Sequence, residues 1–294
     1  MASGATITAP AHQPSAARPL RIVHCFRAPV GGLFRHVRDL AEAQAKAGHQ
    51  VGIICDSSTG GAFEEAILDS IRPSLSLGIR RFPMRREIAP SDIAATWRMM
   101  REVRSLNPDI LHAHGAKGGA YARTIGTLLR ASGSRVARIY TPHGGSLHYA
   151  AGSLKGRVYF AAERALGWMT DAYIFVSQYE ADAFAAKVGA TRKPVTIARN
   201  GLQPDEFEPV TALPDARDFL FIGTMRDLKG PDVFIEALAA VAGPSVAAPT
   251  AVMVGSGDDK PRYEATVAER RLPVVFRDPM PARQAFALAR AVVV

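Results

Sequence analysis

Short apolar runs alternate with amphipathic segments along most of the chain. The first run, LRIVHCF at 20–26, is followed by a segment at 33–48 whose apolar residues recur at helical spacing and whose last residue is glycine. Further strand-like runs follow at 50–55, 79–83, 109–114, 136–141 and 172–177. Continuous apolar strands separated by helices are typical of a sheet covered on both faces, so the pattern predicts an α/β fold with a parallel sheet.

A polar stretch at 199–218, with three prolines and five acidic residues, interrupts this alternation. Strand-like runs resume at 218–223, 250–255, 273–277 and 291–294. We therefore expect four parts, namely a disordered tail at 1–18, a first domain at 19–200, a linker at 201–217 and a second domain at 218–294. No loop or covering helix follows the last apolar run, so we expect the second domain to be incomplete and the chain to be the front part of a longer protein.

Composition and charge narrow the choice of partners. The 294 residues carry a formal net charge of +9, which favours nucleic acid, an acidic membrane surface or phosphorylated substrates. Nothing in the sequence matches a common nucleic-acid module, so we expect no nucleic-acid partner. No window approaches about 18 consecutive apolar residues, and no secretory signal is present. Cys25 and Cys55 lie in strand-like runs, as reduced core thiols of a cytoplasmic protein do.

Glycines follow the first strand, where a helix is predicted to begin. Gly31 and Gly32 in APVGGLFRHV allow a ligand to approach the backbone, and a helix start favours phosphate, although a tight turn explains the pair equally well. Asp56 ends the second strand, where a dinucleotide-binding protein places its ribose carboxylate. The spaced glycine fingerprint is absent, however, so a nicotinamide enzyme is disfavoured.

Histidines end two neighbouring predicted strands. His112 and His114 share one face of their strand, and TPHGG places His143 and Gly144 after the next strand. Ligands of α/β proteins bind at the carboxyl ends of parallel strands, so His114 is expected to contact substrate; ordinary loop histidines are the alternative. A metal site is disfavoured because no carboxylate or cysteine at ligand spacing accompanies the histidines.

Two cations and a glycine lie where the first strand of the second domain meets a helix. Arg226, Lys229 and Gly230 in FIGTMRDLKGPDVF suggest an anion site, because a helix start presents free N–H groups and the positive end of its dipole. The alternative is a solvated cationic loop.

The segment 80–104 concentrates basic residues among apolar ones. Its arginines are Arg80, Arg81, Arg85, Arg86, Arg98, Arg101 and Arg104, and Phe82, Met84 and Trp97 are interleaved. A helix is predicted at 91–106, capped by Ser91, with its apolar stripe formed by Ile93, Trp97, Met100 and Val103. Such a mixture can dock on anionic lipid, although a solvated basic face is the more common outcome.

In this order and spacing, the motifs resemble the family 4 glycosyltransferases, which are retaining enzymes with two Rossmann-like domains in the GT-B architecture. The resemblance runs from about Leu20 to Val294. It rests on V-G-G at 30–32, P-D-I-L-H-A-H-G at 108–115, T-P-H-G at 141–144, R-N-G-L at 199–202, M-V-G-S-G at 253–257 and, most specifically, I-G-T-M-R-D-L-K-G at 222–230. Thr224 stands where many members have arginine, and the family's Glu-x7-Glu segment is missing.

The resemblance implies a role for each matched residue. Arg226 and Lys229 would bind the diphosphate of a nucleotide-sugar donor and stabilise the leaving group, while Gly31 and Gly32 would approach the donor from the first domain. His114 would be the catalytic residue, in contact with the transferred sugar or its acceptor. His143, Gly144 and Gly255 are further candidates for substrate binding.

The expected activity is therefore transfer of a hexose, with retention, from a nucleotide sugar to a glycan or lipid-linked acceptor, without metal or other cofactor. By resemblance, the setting is cell-envelope or exopolysaccharide biosynthesis, in the cytoplasm or at the inner face of the membrane. As an incomplete fragment, the chain is expected to be weakly active or inactive. Two other classes remain open. A two-lobed binding module without catalysis would not explain the Lys229 turn, and an oxidoreductase acting on nucleotide sugars would need the missing fingerprint.

Overall fold

The computed structural model describes residues 18–242 and 247–293, and within these ranges the strands form two parallel sheets. The strands are β1 (Arg21–Cys25), β2 (Gln50–Asp56), β3 (Gly78–Phe82), β4 (Ile110–His114), β5 (Ala137–Thr141), β6 (Ala172–Phe175), β7 (Val195–Ile197), β8 (Arg217–Ile222), β9 (Ala251–Val254), β10 (Val274–Arg277) and β11 (Ala289–Val293). The helices are α1 (Gly31–Lys46), α2 (Ala62–Ile71), α3 (Ser91–Leu106), α4 (Gly115–Ala131), α5 (Leu154–Gly167), α6 (Gln178–Lys187), α7 (Pro231–Val241), α8 (Lys260–Glu269) and α9 (Ala282–Phe286). The expected tail, apart from Arg18, lies outside the described residues.

Both sheets have Rossmann-like strand orders. The first sheet runs β3-β2-β1-β4-β5-β6-β7 and the second runs β10-β9-β8-β11, with every pairing parallel. In each sheet the order reverses at the first strand of the unit, which opens a crevice at the carboxyl ends of the strands. The predicted α/β fold with two parallel sheets is thus confirmed. The sequence pattern did not reveal β7, because its three residues are exposed and form no apolar run.

The first sheet is covered on both faces, as the apolar strands predicted. Successive residues of β2 contribute to different core clusters, with Ile54 on one face and Ile53 and Cys55 on the other. Cys25 and Cys55 are both buried free thiols, and burial raises the pKa of each to about 12, so neither is a reactive thiolate at neutral pH.

Helix α3 has the predicted bounds, but part of its predicted apolar stripe was wrong. Its buried residues are Met99, Val103 and Leu106, whereas Ile93 and Trp97 are 69% and 53% exposed. The fully buried residues of α3 all lie in its C-terminal half, and Ala95 is partly buried against the same core. The N-terminal half is attached through polar contacts of Asp92, whose carboxylate accepts hydrogen bonds from Lys117 Nζ and Tyr121 Oη. Ser91 is the first helical residue and Pro90 precedes it, so Ser91 is not the cap.

A buried ion pair holds α4 and α5 to the sheet. Arg123 of α4 is fully buried, lies 3.7 Å above the Tyr140 ring and donates through Nη2 to Glu163 of α5 at 2.8 Å. The Tyr140 hydroxyl donates to the other carboxylate oxygen of Glu163 at 2.9 Å. In the first turn of α4, a Cβ added to Gly118 would lie 2.4 Å from the Cα of Phe26. Only glycine therefore lets α4 approach the end of β1 this closely.

Removing one partner of this buried pair should be costly. Glu163→Ala leaves the Arg123 guanidinium buried without its counter-charge, so we expect a loss of about 3–5 kcal/mol in the free energy of unfolding, measured by urea denaturation. Glu102→Ala is the control, because Glu102 pairs with Arg80 at the surface, where the two side chains are 46% and 42% exposed. This substitution should lower the free energy of unfolding by less than about 1 kcal/mol. Equal losses for the two variants would contradict the assignment.

Candidate functional site

A cavity of about 930 Å³ lies at the carboxyl ends of the first sheet and extends to the turn after β8. Six cationic side chains border it, namely Arg27, Arg86, Lys117, Lys155, Lys187 and Arg226, against the acidic Glu87 and Glu180. The Glu180 carboxylate already accepts hydrogen bonds from the backbone N–H groups of Gly144 and Val176. The cavity is therefore suited to an anionic ligand.

Two helices begin beside this cavity without a side-chain cap. Helix α1 begins at Gly31, whose φ of 66° favours glycine, and a Cβ added at Gly31 or Gly32 would meet no atom within 4 Å. Gly32 borders a second cavity, of about 510 Å³. Helix α4 begins at Gly115, also with a φ of 66°, and its first turn borders the larger cavity. Sequence reasoning missed the α4 start, although Gly115 follows β4 directly, as Gly31 closely follows β1.

Five histidines from two strands, one loop and one helix meet at the ends of β1 and β4. His24 of β1 pairs in register with His112 of β4, and His114 lies two residues further along β4. His143 follows β5, and His36 comes from α1, with its ring 4.8 Å from the His143 ring. His36 and His112 border the smaller cavity and His114 and His143 the larger one, so the cluster separates the two cavities. The sequence identified His112, His114 and His143 but missed His24 and His36.

Short contacts link the imidazoles into a chain. His24 Nδ1 lies 3.0 Å from His114 Nε2, and His114 Nδ1 lies 3.0 Å from His143 Nε2. At the other end, His24 Nε2 lies 2.8 Å from Gln44 Oε1 of α1. His114 borders the cavity but has no exposed surface, so the partly exposed His143 is the member of the chain that a substrate can reach.

Burial keeps these imidazoles neutral. It lowers the pKa of His24 to about 4 and that of His143 to about 3, and the pKa of His112 and His114 lies well below the usual value. Neighbouring imidazoles lower these values further, because each would repel a second positive charge. At neutral pH the cluster therefore offers ring N–H donors and lone pairs rather than cations.

The structure brings histidines together in two groups of three that could bind a metal ion, which the sequence spacing did not show. The ring nitrogens of His24, His112 and His114 lie within 4.8 Å of one another, as do those of His36, His114 and His143. Three imidazoles can bind zinc, but the nitrogens of the chain already satisfy one another, and no carboxylate belongs to either group. Hydrogen bonding therefore explains the cluster without an ion.

The loop that carries His143 is strained. Three consecutive residues, His143, Gly144 and Gly145, have positive φ values of 51°, 74° and 37°. Such a φ is uncommon for histidine and costs about 1–3 kcal/mol. The hydrogen bond from Gly144 N–H to Glu180 fastens this loop to α6. This hydrogen bond helps to hold the strained loop, and with it His143, at the edge of the cavity.

On the opposite side, the turn after β8 presents Arg226. Its guanidinium borders the larger cavity, and the buried Nε has no hydrogen-bond partner among the described residues. The neighbouring Asp227 carboxylate is occupied by Arg262 and Tyr263 instead. Lys229 lies in the same turn but is exposed and does not border the cavity. Arg226 is therefore the cation that the structure brings to the histidine side.

Gly255 supports this turn from behind. A Cβ added at Gly255 would lie 1.9 Å from the carbonyl oxygen of Gly223, and one at Gly257 would lie 2.4 Å from that of Met225. The Met225 N–H donates to the carbonyl oxygen of Ser256 at 2.9 Å. Gly255 thus lets two loops lie side by side and does not border the cavity.

The remaining polar candidates have structural contacts. Asp56 is fully buried, and its carboxylate accepts from Met84 N–H, Ser58 and Thr59, which ties two loops together. In the basic segment, Arg81 contacts Glu65 and the carbonyl oxygens of Asp56 and Thr59. Arg86 borders the cavity.

The fold and the cavity define an α/β protein with two Rossmann-like units and a cationic cleft. Comparison with known proteins identifies the family. The profile of Glycosyltransferase Family 4 matches residues 30–206, and the chain belongs to this family. No curated protein sequence matches the chain.

Solved structures share the fold at low sequence identity. HepE from Anabaena, in complex with UDP and glucose, has a TM-score of 0.68 at 15% identity, over 93% of this chain and 73% of that one. WaaG, a glycosyltransferase involved in lipopolysaccharide biosynthesis, has a TM-score of 0.64 at 16% identity, over 92% and 74% of the two chains. A glycosyltransferase from Rickettsia africae has a TM-score of 0.63 at 15% identity, over 94% and 73%. The fold is that of the GT-B glycosyltransferases, as the resemblance implied.

The buried histidines predict a pH dependence of stability. Unfolded histidines take up protons near their ordinary pKa of about 6.5, whereas folded His24 and His143 do so only near 4 and 3. The unfolded state therefore binds more protons as pH falls, so stability should decrease from about pH 6.5 towards about pH 4. Burial raises the pKa of Asp171, but hydrogen bonds from Arg138 and the charges of Arg138 and Arg130 outweigh it and hold that pKa at about 2, so Asp171 affects stability only at lower pH.

A variant isolates the contribution of one histidine. Each unit of pKa difference is worth about 1.4 kcal/mol. Between about pH 7 and about pH 4, the free energy of unfolding of His143→Asn should therefore fall by about 3 kcal/mol less than that of the wild type. Asparagine also tolerates the positive φ at this position. The control is His148→Asn, an exposed histidine nearby, which should follow the wild type in urea denaturation series. A wild-type stability that is flat across this window would contradict the prediction.

Proposed function

We propose that the protein transfers a hexose, with retention, from a nucleotide sugar to a glycan or lipid-linked acceptor. The observation that carries this proposal is the placement of Arg226, which borders the same cavity as the start of α4 and whose buried Nε has no hydrogen-bond partner among the described residues. A diphosphate between them would be bound by a guanidinium and by the free N–H groups of a helix start. A binding module without catalysis would not need a cation where a leaving group develops charge.

The proposed chemistry needs stabilisation of negative charge more than it needs a strong base. The bond between the anomeric carbon and the diphosphate oxygen breaks, and the diphosphate takes the electron pair. The acceptor hydroxyl oxygen bonds to the same face of that carbon, and its proton passes to the departing diphosphate. Arg226 and Lys229 would stabilise that charge, with Gly31 and Gly32 leaving room for the donor. The proposal includes no metal or other cofactor.

The histidines would orient the reacting groups. Burial lowers the His143 pKa to about 3, so its imidazole is a weak base that can hydrogen-bond a hydroxyl without removing the proton. His114, the catalytic candidate, would act from behind His143, and Gly144 would hold the loop. Gly255 would support the turn that carries Arg226.

The solved relatives suggest a donor and a setting. HepE binds UDP and glucose, and WaaG takes part in lipopolysaccharide biosynthesis. We therefore propose a uridine diphosphate sugar as the first donor to test and a role in cell-envelope or exopolysaccharide biosynthesis, at the cytoplasmic face of the membrane.

The exposed part of α3 supports peripheral contact with an anionic membrane. Ile93 and Trp97 are exposed, and so are the basic Arg98 and Arg101 on the same helix. Apolar side chains flanked by arginine suit insertion at an anionic headgroup layer. No described helix combines the length and the hydropathy that a membrane span requires.

Diphosphate binding tests the proposed function. Arg226→Ala should weaken UDP binding by about 1.5–3 kcal/mol in calorimetry, because a charge-assisted hydrogen bond is lost. Lys229→Ala should weaken it by about 1–3 kcal/mol if the turn closes on the diphosphate. The control is Arg270→Ala, which removes a surface ion pair with Glu236 in the same unit. Unchanged UDP affinity of the Arg226 variant would refute the donor site, and UDP-glucose that binds without transfer to any glycan or lipid-linked acceptor would favour the binding module.

Vesicle binding tests the membrane contact. The double change Ile93→Ser and Trp97→Ser should reduce sedimentation with vesicles that contain phosphatidylglycerol, and so should Arg98→Ser with Arg101→Ser. The control is Trp168→Ser at the end of α5, which removes another exposed tryptophan, with 87% exposure. Binding that is independent of lipid charge, or equally reduced by the control, would contradict the proposal.

A further inference from the structure

The histidine chain has a direction, and its buried end sets that direction. A neutral imidazole carries one N–H donor and one lone pair, so each ring in the chain must donate at one nitrogen and accept at the other. The chain runs from Gln44 through His24 and His114 to His143, with contacts of 2.8, 3.0 and 3.0 Å. Only two arrangements of protons satisfy every contact.

The orientation of the Gln44 amide decides between these arrangements. Its oxygen faces His24 and can only accept, so His24 Nε2 carries the proton and His24 Nδ1 is a lone pair. His114 must then donate from Nε2 to His24, which leaves His114 Nδ1 to accept from His143 Nε2. The last free atom, His143 Nδ1, is consequently a lone pair. The opposite arrangement requires the amide to turn its NH₂ group towards His24.

The free nitrogen belongs to a residue of the cavity wall. His143 borders the 930 Å³ cavity, and its Nδ1 has no hydrogen-bond partner among the described residues. The hydrogen bond from Gly144 to Glu180 holds the loop, and the contact with His114 orients the His143 ring. The tautomer of His143 therefore decides whether the cavity wall offers a donor or an acceptor at this point.

We propose that Gln44 is a positioning residue which, through His24 and His114, fixes His143 in the tautomer that presents Nδ1 as a hydrogen-bond acceptor to a sugar hydroxyl in the cavity. The sugar hydroxyl rests on the proposed function, whereas the tautomer does not. An acceptor at this position favours a ligand that presents O–H. The low basicity of the ring lets it orient that hydroxyl while the proton stays on oxygen.

Nitrogen NMR of histidine-labelled protein reads the tautomer directly, without ligand. In the wild type, at about pH 8.5 where imidazoles are neutral, His143 should carry its proton on Nε2 alone. Gln44→Met removes the amide at similar length, so His143 should become a mixture of two tautomers. Gln44→Glu, whose carboxylate can only accept, should restore the single tautomer. A proton on Nδ1 in the wild type, or an unchanged single tautomer in Gln44→Met, would overturn the proposal.

Ligand affinity gives the second measurement. We expect Gln44→Met to weaken UDP-glucose binding about three- to tenfold while UDP affinity stays the same, and Gln44→Glu to restore it. Gln178→Met is the matched control, because this exposed glutamine bonds Asp182 on α6 and should leave both affinities unchanged. Equal weakening of UDP and UDP-glucose would indicate a merely structural role and overturn the proposal. If neither ligand binds the wild type, the proposed function fails, and the NMR result still decides the role of Gln44.

Discussion

The candidate site depends on one constraint of parallel sheets, the reversal of strand order at β1. Because β2 lies on one side of β1 and β4 on the other, α1 and α4 leave the sheet in different directions and leave a crevice between their first turns. Both helices begin with glycine in a left-handed conformation and without a side-chain cap, so the N–H groups of their first turns stay free beside the crevice. The second sheet repeats the reversal at β8 and brings Arg226 to the other side of the cavity.

The two sides of the cavity differ in their electrostatics. On the side of the second sheet, the charge of Arg226 has no counter-ion among the described residues. On the first side, five cationic side chains accompany His114 and His143, whose imidazoles burial keeps neutral as directional donors and acceptors. Buried polar groups are costly without partners, which explains why the buried nitrogens of His24 and His114 occur in a connected chain. The proposed donor, a charged diphosphate joined to a neutral sugar, would use both the cations and the neutral donors and acceptors.

Several residues that share a motif differ in what they contact. Arg226 and Lys229 belong to one turn, yet only Arg226 borders the cavity, because the short helical turn between them rotates Lys229 to the surface. Gly255 belongs to an equally specific motif and serves the packing of two loops. The basic segment likewise divides into Arg81, which is held by backbone carbonyl oxygens, and the exposed arginines of α3.

The sequence by itself determined the class of fold, the bounds of most strands and helices, the carboxyl edge of the first sheet as the candidate site, and three of its histidines. These features depend on local periodicity and on the rule that parallel strands end at one edge, and both can be read along the chain. Only the tertiary structure added His24 and Gln44, because their relation to His143 arises from the pairing of β1 with β4 and the packing of α1. The tertiary structure also decided which part of the apolar side of α3 is buried, because the fully buried residues lie only in the C-terminal half of the helix. Periodicity shows that a helix has an apolar side, whereas the neighbouring elements determine which part of that side they cover.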